Sequence, residues 1–268
     1  MSNQPTILIS GASSGFGLET AKAFINEGYR VFGTSRKAIP SPVDGMEMLT
    51  LDVGDEQSVK DCVATLLNKA GRCDVLVNNA GFVVNGFAEE TDIDQVESIF
   101  QTNFVGLVRL TNAILPTMRS QRCGKIINIS SIAGLMGVPY RGFYAASKFA
   151  VEGYSESLRT ELLHFNIYVS LIEPGFFKTN IDNASILATT PIADYDKHRN
   201  KVHNYFTKGV RDGGNPANVA KLIAKVAQKK TPKLRYRIGR ESKIMPIIKA
   251  ILPAKLIEKA TLKYFNLK

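Results

Sequence analysis

Seven short apolar or β-branched runs punctuate the chain: TILIS at 6–10, RVFGT at 30–34, EMLTL at 47–51, DVLVN at 74–78, KIINIS at 125–130, IYVSLI at 167–172 and LRYRI at 234–238. Longer stretches between them repeat apolar residues at helical spacing. Strand, helix, strand in this order predicts an α/β fold, a doubly wound parallel sheet of about seven strands in a single domain. Several runs are almost continuously apolar, as strands covered on both faces are. The rhythm falters between Asn183 and Pro216, where polar residues, Pro and Gly replace it. That segment follows the strand at 167–172, so it belongs at the carboxyl rim of the sheet, where open α/β folds bind ligands, and its length suits a lid. The domain therefore divides into a core at 1–182, a lid at 183–215 and a tail at 241–268.

Composition narrows the class. With 268 residues, 44% of them hydrophobic, the chain can bury one substantial core. Only residues 1–5 precede the first apolar run, no stretch reaches the roughly 20 uncharged apolar residues that span a bilayer, and the reading is a cytoplasmic protein. Cys62, Cys73 and Cys123 form no CxxC pair, which argues against a disulfide framework or a metal site and makes them ordinary packing residues. The net charge of +10 is lopsided: residues 195–268 hold 19 Lys/Arg and 4 Asp/Glu, and the rest of the chain is net acidic. Such a basic region suits an anionic membrane surface, nucleic acid or an acidic ligand, or is simply a solvated face. Nucleic acid is disfavoured, because no aromatic interleaving or known module accompanies the charge.

The first run leads directly into Gly11-Ala12-Ser13-Ser14-Gly15-Phe16-Gly17 and then an amphipathic helix to about Glu27. Missing side chains allow a tight turn and let a pyrophosphate approach the helix N-terminus, where free N–H groups and the dipole favour anions. Folds that prefer NAD place an acid near the end of the second strand to hold the ribose 2′-hydroxyl. Here that stretch reads Thr34-Ser35-Arg36-Lys37, with no acid before Asp44. Arg36 suits a 2′-phosphate, so NADP(H) is expected.

Tyr144 and Lys148 stand at i and i+4 at the start of a long helical pattern. A free phenol titrates near pH ~10, and a cation one turn away stabilises its phenolate. The spacing is common by chance, so its neighbours matter: Ser130 and Ser131 end the preceding strand, and Asn103 lies in the helical segment 94–119.

Taken together, the glycine loop, Asn78-Asn79-Ala80-Gly81, Asn103, Ser131, the Tyr144/Lys148 pair, and Pro174-Gly175 followed by Thr179 resemble, in order, the motifs of the short-chain dehydrogenase/reductases of the common single-domain type, over roughly residues 5–240. The resemblance implies a Rossmann-type fold and hydride transfer between an alcohol or carbonyl and NADP(H). Tyr144 would be the acid/base, Ser131 would polarise the substrate oxygen, Lys148 would tune Tyr144 and hold the nicotinamide ribose, and Asn103 would support a relay water. It further assigns Asp52 and Val53 to the adenine, Asn79, Ala80 and Gly81 to the adenosine ribose and sheet centre, and Pro174, Gly175 and Thr179 to the nicotinamide side. Ser10 departs mildly from the Thr common before the first glycine. A homodimer or homotetramer is implied as well, through helices that include 94–119 and 144–165.

The lid carries Ile186, Leu187, Ile192, Tyr195, Tyr205 and Phe206, an apolar surface for a substrate. After Pro253, Lys255, Lys259 and Lys263 recur beside Leu256, Ile257 and Ala260, the pattern of a basic amphipathic helix. It suits an anionic membrane, or it packs on the rim of the domain or a partner subunit. The tail resembles those of family members acting on steroids, retinoids or long-chain carbonyls, which implies a bulky hydrophobic substrate. A catalytically silent NADPH sensor or a lipid-associated binding protein is the alternative, and the intact proton-transfer set disfavours it.

Overall fold

The computed structural model describes residues 4–181, 185–265 and 267. In chain order its strands are β1 (Thr6–Ile9), β2 (Arg30–Ser35), β3 (Met46–Thr50), β4 (Val75–Asn78), β5 (Val84–Asn85), β6 (Gly124–Ile129), β7 (Ile167–Pro174), β8 (Ile186–Leu187) and β9 (Arg235–Ile238). Its helices are α1 (Gly15–Asn26), α2 (Glu56–Ala70), α3 (Ile93–Phe100), α4 (Gly106–Gln121), α5 (Gly142–Leu162), α6 (Asp196–Arg211), α7 (Pro216–Gln228), α8 (Arg240–Ile251) and α9 (Ala254–Tyr264).

The seven apolar runs form one parallel sheet in the order β3-β2-β1-β4-β6-β7-β9, with β5 and β8 paired apart from it. Alternation along each strand feeds two cores. Ile7, Ile9, Val75 and Val77 pack against Phe24 of α1 and Ile223 of α7, while Leu8, Leu76 and Ile126 face α2, α4 and α5. The chain order reverses between β1 and β4, so the crevice beyond the carboxyl ends of these two strands is where such a sheet receives a ligand. A buried polar line crosses beneath it: the Asn78 amide donates to Thr111 Oγ1 (2.9 Å) and Asn128 Oδ1 (2.8 Å), and Asn128 donates to Ser155 Oγ (2.8 Å). These bonds lock α4 and α5 to the sheet and so fix where the start of α5 points.

Three elements differ from the sequence reading. The helical segment 94–119 is α3 and α4 joined by a π-helical turn, Gln101–Val105, which swings Asn103 inward. The faltering stretch contains α6, whose buried face is only Val202, Phe206 and Val210 at i, i+4 and i+8 among polar residues. The start of the expected lid, 183 and 184, residue 182 of the expected core, and positions 266 and 268 of the tail lie outside the described residues. The tail adds α8 ahead of α9, the helix expected after Pro253. Cys62 and Cys73 are buried, and burial pushes both thiols up to about 12, but Cys123 is exposed and is not a packing residue. Among the described residues no helix is long and apolar enough to cross a membrane.

Candidate active site

A cleft of about 540 Å³ opens at the crevice, lined from the glycine loop at one end to Phe206 and Val210 of α6 at the other. Its first wall is the turn after β1. Gly11 takes φ +66°, which a side chain would strain, and a methyl on Gly17 would strike Gly11 O and Ala12 Cα. Gly17 stands behind the cleft lining, where the missing side chain lets α1 close against the loop. Ser14 heads α1 with no side-chain cap bond, and the first turn has no acid, so the amides there face the cleft uncapped. Ser13, Ser14, Gly15 and Phe16 all line it. This cradle fits the pyrophosphate of a dinucleotide, since N–H groups and the helix dipole are offered without a competing carboxylate.

The remaining expected contacts divide into cleft and support. Arg36, Asp52, Val53, Ala80, Gly81, Pro174, Gly175 and Thr179 line the cleft, with Thr179 facing Gly15 across it. Asn79 lines it too, but its amide is committed to Ser10 O (3.0 Å) and Gly11 O (2.8 Å), where it shapes the glycine turn. Ser10 Oγ accepts the amides of Asn79 (2.9 Å) and Ala80 (3.0 Å), so the serine that departs from threonine still does the joining.

Tyr144, Ser131 and Lys148 meet at the floor of the cleft. Ser131, two residues beyond β6, caps the following turn by accepting Ala133 N (3.1 Å), and its hydroxyl hydrogen-bonds the Tyr144 phenol. Burial raises the phenol above its ordinary value, with the Ser131 bond and the Arg141 guanidinium pulling back. Lys148 Nζ lies 5.8 Å from the Tyr144 ring centre and donates to Ile129 O (2.7 Å). Burial lowers Lys148 to about 8, opposed by the charge of Glu152. Asn103 does not line the cleft: its amide accepts Phe82 N (3.0 Å) and donates to Phe82 O (2.9 Å) and Ser147 Oγ (3.1 Å). A methyl built on Gly81 would stand 3.0 Å from Asn103 Oδ1 and 3.9 Å from Lys148 Nζ, so both groups flank the same backbone.

Sequence reasoning missed three residues. Arg141 reaches the cleft just before α5, donates to Asn85 Oδ1 (2.8 Å), and lies 4.0 Å from the Phe206 ring centre. Glu90, buried, gathers Phe87 N (3.1 Å), Ile192 N (2.9 Å) and the Arg199 guanidinium. Neither leaves a local signal, since an EE pair reads as solvated and Arg199 is far along the chain. Glu152, the third, does: it repeats the i+4 step from Lys148.

A family model described as short chain dehydrogenase matches residues 5–188. A 3-ketodihydrosphingosine reductase of Bacteroides thetaiotaomicron is 45% identical over 236 residues, 87% of each chain. Retinol dehydrogenase 8 of Bos taurus is 36% identical over 271 residues, 93% of this chain and 86% of the relative. The crystal structure of a short-chain dehydrogenase from Streptomyces avermitilis superposes with a TM-score of 0.85 at 32% identity, covering 98% of this chain and 97% of that one.

Proposed function

The chain belongs to the short-chain dehydrogenase/reductase family of oxidoreductases, and we propose that it uses NADP(H) to interconvert a long-chain amphipathic alcohol and its ketone. The observation that carries this is the buried Ser131–Tyr144 hydrogen bond at the junction of the glycine-loop wall and an apolar wall. When bound, NADPH supplies the hydride. In reduction Ser131 donates to the substrate oxygen as negative charge develops there, and Tyr144 delivers the proton. Lys148 holds the ribose hydroxyls and supports the phenolate, and Asn103 braces the backbone beside Lys148. Arg36, in a stretch from Thr34 to Lys37 that carries no acid, would hold the 2′-phosphate. Residues 185–211 act as the substrate lid, with Ile186, Phe206 and Val210 as its apolar lining. The relatives named for a ketosphingoid base and for retinol support a lipid-like substrate.

The tail extends this reading. Ile244, Ile247, Ile248 and Ile251 form one stripe of α8 and are 43%, 55%, 37% and 74% exposed, continued by Leu252 and Leu256. Lys243, Lys249, Lys255, Lys259 and Lys263 accompany it, so an anionic bilayer surface complements both the apolar stripe and the charge. Tyr264 and Phe265 meet Tyr205 of the lid edge to face, which brings that surface to the mouth of the cleft. We place the enzyme in the cytoplasm at a membrane face. Association of two or four copies is expected through the helices within 94–119 and 144–165, where Phe149 of α5 and Leu163 just after it are exposed.

The test is cofactor oxidation against a panel of long-chain ketones and short water-soluble carbonyls, with NADPH and with NADH. Turnover of a long-chain ketone with NADPH preferred is expected. Preference for NADH, or for the short carbonyls, contradicts the finer reading.

A further inference from the structure

Behind the floor of the cleft lies a buried charged cluster to which the proposed reaction gives no role. Glu152, one turn beyond Lys148 on α5, is 5% exposed, and its two oxygens are divided between partners. Oε1 accepts the Ser130 hydroxyl at 2.5 Å, and Oε2 accepts Arg235 Nε at 3.1 Å. Ser130 directly precedes Ser131, and Lys148 Nζ donates to Ile129 O one residue earlier. The end of β6 is thus stitched to α5 at three successive residues: Ile129 to Lys148, Ser130 to Glu152 and Ser131 to Tyr144.

Other elements complete the surroundings. From β7, Glu173 opposes the Glu152 charge, and from β9 Arg235 and Arg237 pair with Glu173 (3.2 and 2.9 Å). Glu156, on the same helix, takes the other arm of Arg235 (2.7 Å). The space is tight, since a methyl on Gly134 would come within 2.7 Å of Ser130 Oγ and 3.2 Å of Glu152 Cγ. Burying a carboxylate is costly, and a hydrophobic residue would fill such a volume at less cost. A position where the carboxylate stands one helical turn from Lys148 and holds the neighbour of Ser131 gives that cost a purpose.

We propose that Glu152 is a positioning residue of the active site: through Ser130 it sets where Ser131 stands against Tyr144, and from one helical turn along α5 its negative charge steadies the Lys148 ammonium. This rests on the reading of Ser131, Tyr144 and Lys148 given above. Burial raises Glu152 to about 7, with Ser130 and Arg235 pulling back and Glu173 adding to the rise. Burial lowers Lys148 to about 8, and the Glu152 charge opposes it. Between about pH 7 and 8 the carboxylate is therefore mostly ionised while the lysine keeps most of its proton. Without the carboxylate the lysine loses its proton at lower pH.

Three variants separate geometry from charge. Glu152→Gln removes the charge, Glu152→Asp keeps it but falls short of Ser130, and Ser130→Ala removes only the hydrogen bond. Side-chain NMR titration of Lys148 in the cofactor-free protein is expected to move down by about half a pH unit or more in Glu152→Gln and to stay in place in Ser130→Ala and Glu152→Asp. The alkaline limb of the kcat profile follows the same pattern, and kcat itself falls about tenfold or more in all three. A Lys148 titration unchanged in Glu152→Gln overturns the charge role, and wild-type kcat in folded Ser130→Ala overturns the geometric one. Should Glu152→Gln not fold, the aspartate and alanine variants still read both roles: Lys148 titrating lower in Glu152→Asp overturns the first, as wild-type kcat in Ser130→Ala does the second. The titration needs no substrate. Turnover lost in Tyr144→Phe but normal in Glu152→Gln condemns this proposal alone, and turnover unchanged in Tyr144→Phe condemns the reading beneath it.

Discussion

On one side of the cleft Asn79 and Ser10 bind the glycine turn to the end of β4 through four bonds of 2.8–3.0 Å, and every partner sits on the sheet or the loop leaving it. On the other side residues 185–211 are held to the core by Glu90, by Thr190 onto Glu90 O (3.1 Å), by Gln95 onto Leu187 O (2.8 Å), and by stacking of Phe87 on Tyr195 at 4.5 Å. The first wall is made of backbone geometry that few sequences satisfy. The second is made of side chains gathered from distant positions, with an uncovered apolar face beyond it. A wall of the first kind holds one ligand class, and a wall of the second kind can be refitted to many substrates on the same chemistry.

The largest effect is expected where the two walls meet. Tyr144→Phe keeps the ring and should leave NADPH affinity within about twofold while lowering turnover by roughly 10²–10⁴-fold, read by fluorescence titration and steady-state kinetics. If affinity and turnover fall together, the floor belongs to the cofactor wall alone.

Glu90→Gln sharpens the comparison from the other side. Burial alone would raise the Glu90 carboxyl, but bonds from Arg199, Ile192 N and Phe87 N hold it below the usual carboxylate range. A depressed value means that its stabilisation is present above the ordinary value of about 4.3 and is lost as pH falls through the folded one. Hydrogen exchange should show 186–206 loosening on acidification in the wild type and already loose at pH 7 in the variant, by about 2–3 kcal/mol, while β1 to β4 stay protected. KM for the substrate should rise more than the Kd for NADPH. Equal loosening on both sides would erase the distinction between the walls.

Smallest in stability, and informative about location, is the pair Ile247→Glu with Ile251→Glu. Both positions are exposed, so stability should change by within about 0.5 kcal/mol while cosedimentation with phosphatidylglycerol-rich vesicles is lost. A variant that instead changes from dimer to monomer in solution would assign the stripe to a second copy of the chain.

The contrast also explains what could be read from the sequence. The sheet strands were legible because burial on both faces makes Ile7 to Ile9 and Val75 to Val77 continuous apolar runs, and the cofactor turn because its glycines are adjacent in sequence. Tyr144 and Lys148 were legible because one helix carries both. α6 was not, since three apolar residues among charged ones leave too narrow a stripe, and α8 was not, since its apolar stripe faces outward and contains Pro246. The Asn103 turn hid inside an unbroken helical pattern, because a π-turn changes hydrogen-bond spacing without changing composition. Glu90 and Arg199 meet only through the fold.

The central claim is that Tyr144 protonates a ketone oxygen while the carbonyl carbon takes hydride from NADPH. Incubating the enzyme with a long-chain 3-keto amphiphile and NADPH deuterated at the transferable position tests it directly, with mass spectrometry of the product. One deuterium on the carbinol carbon per turnover, absent with Tyr144→Phe, is the expected result. Cofactor oxidation without deuterium at that carbon, or the same labelled product from Tyr144→Phe, would contradict it.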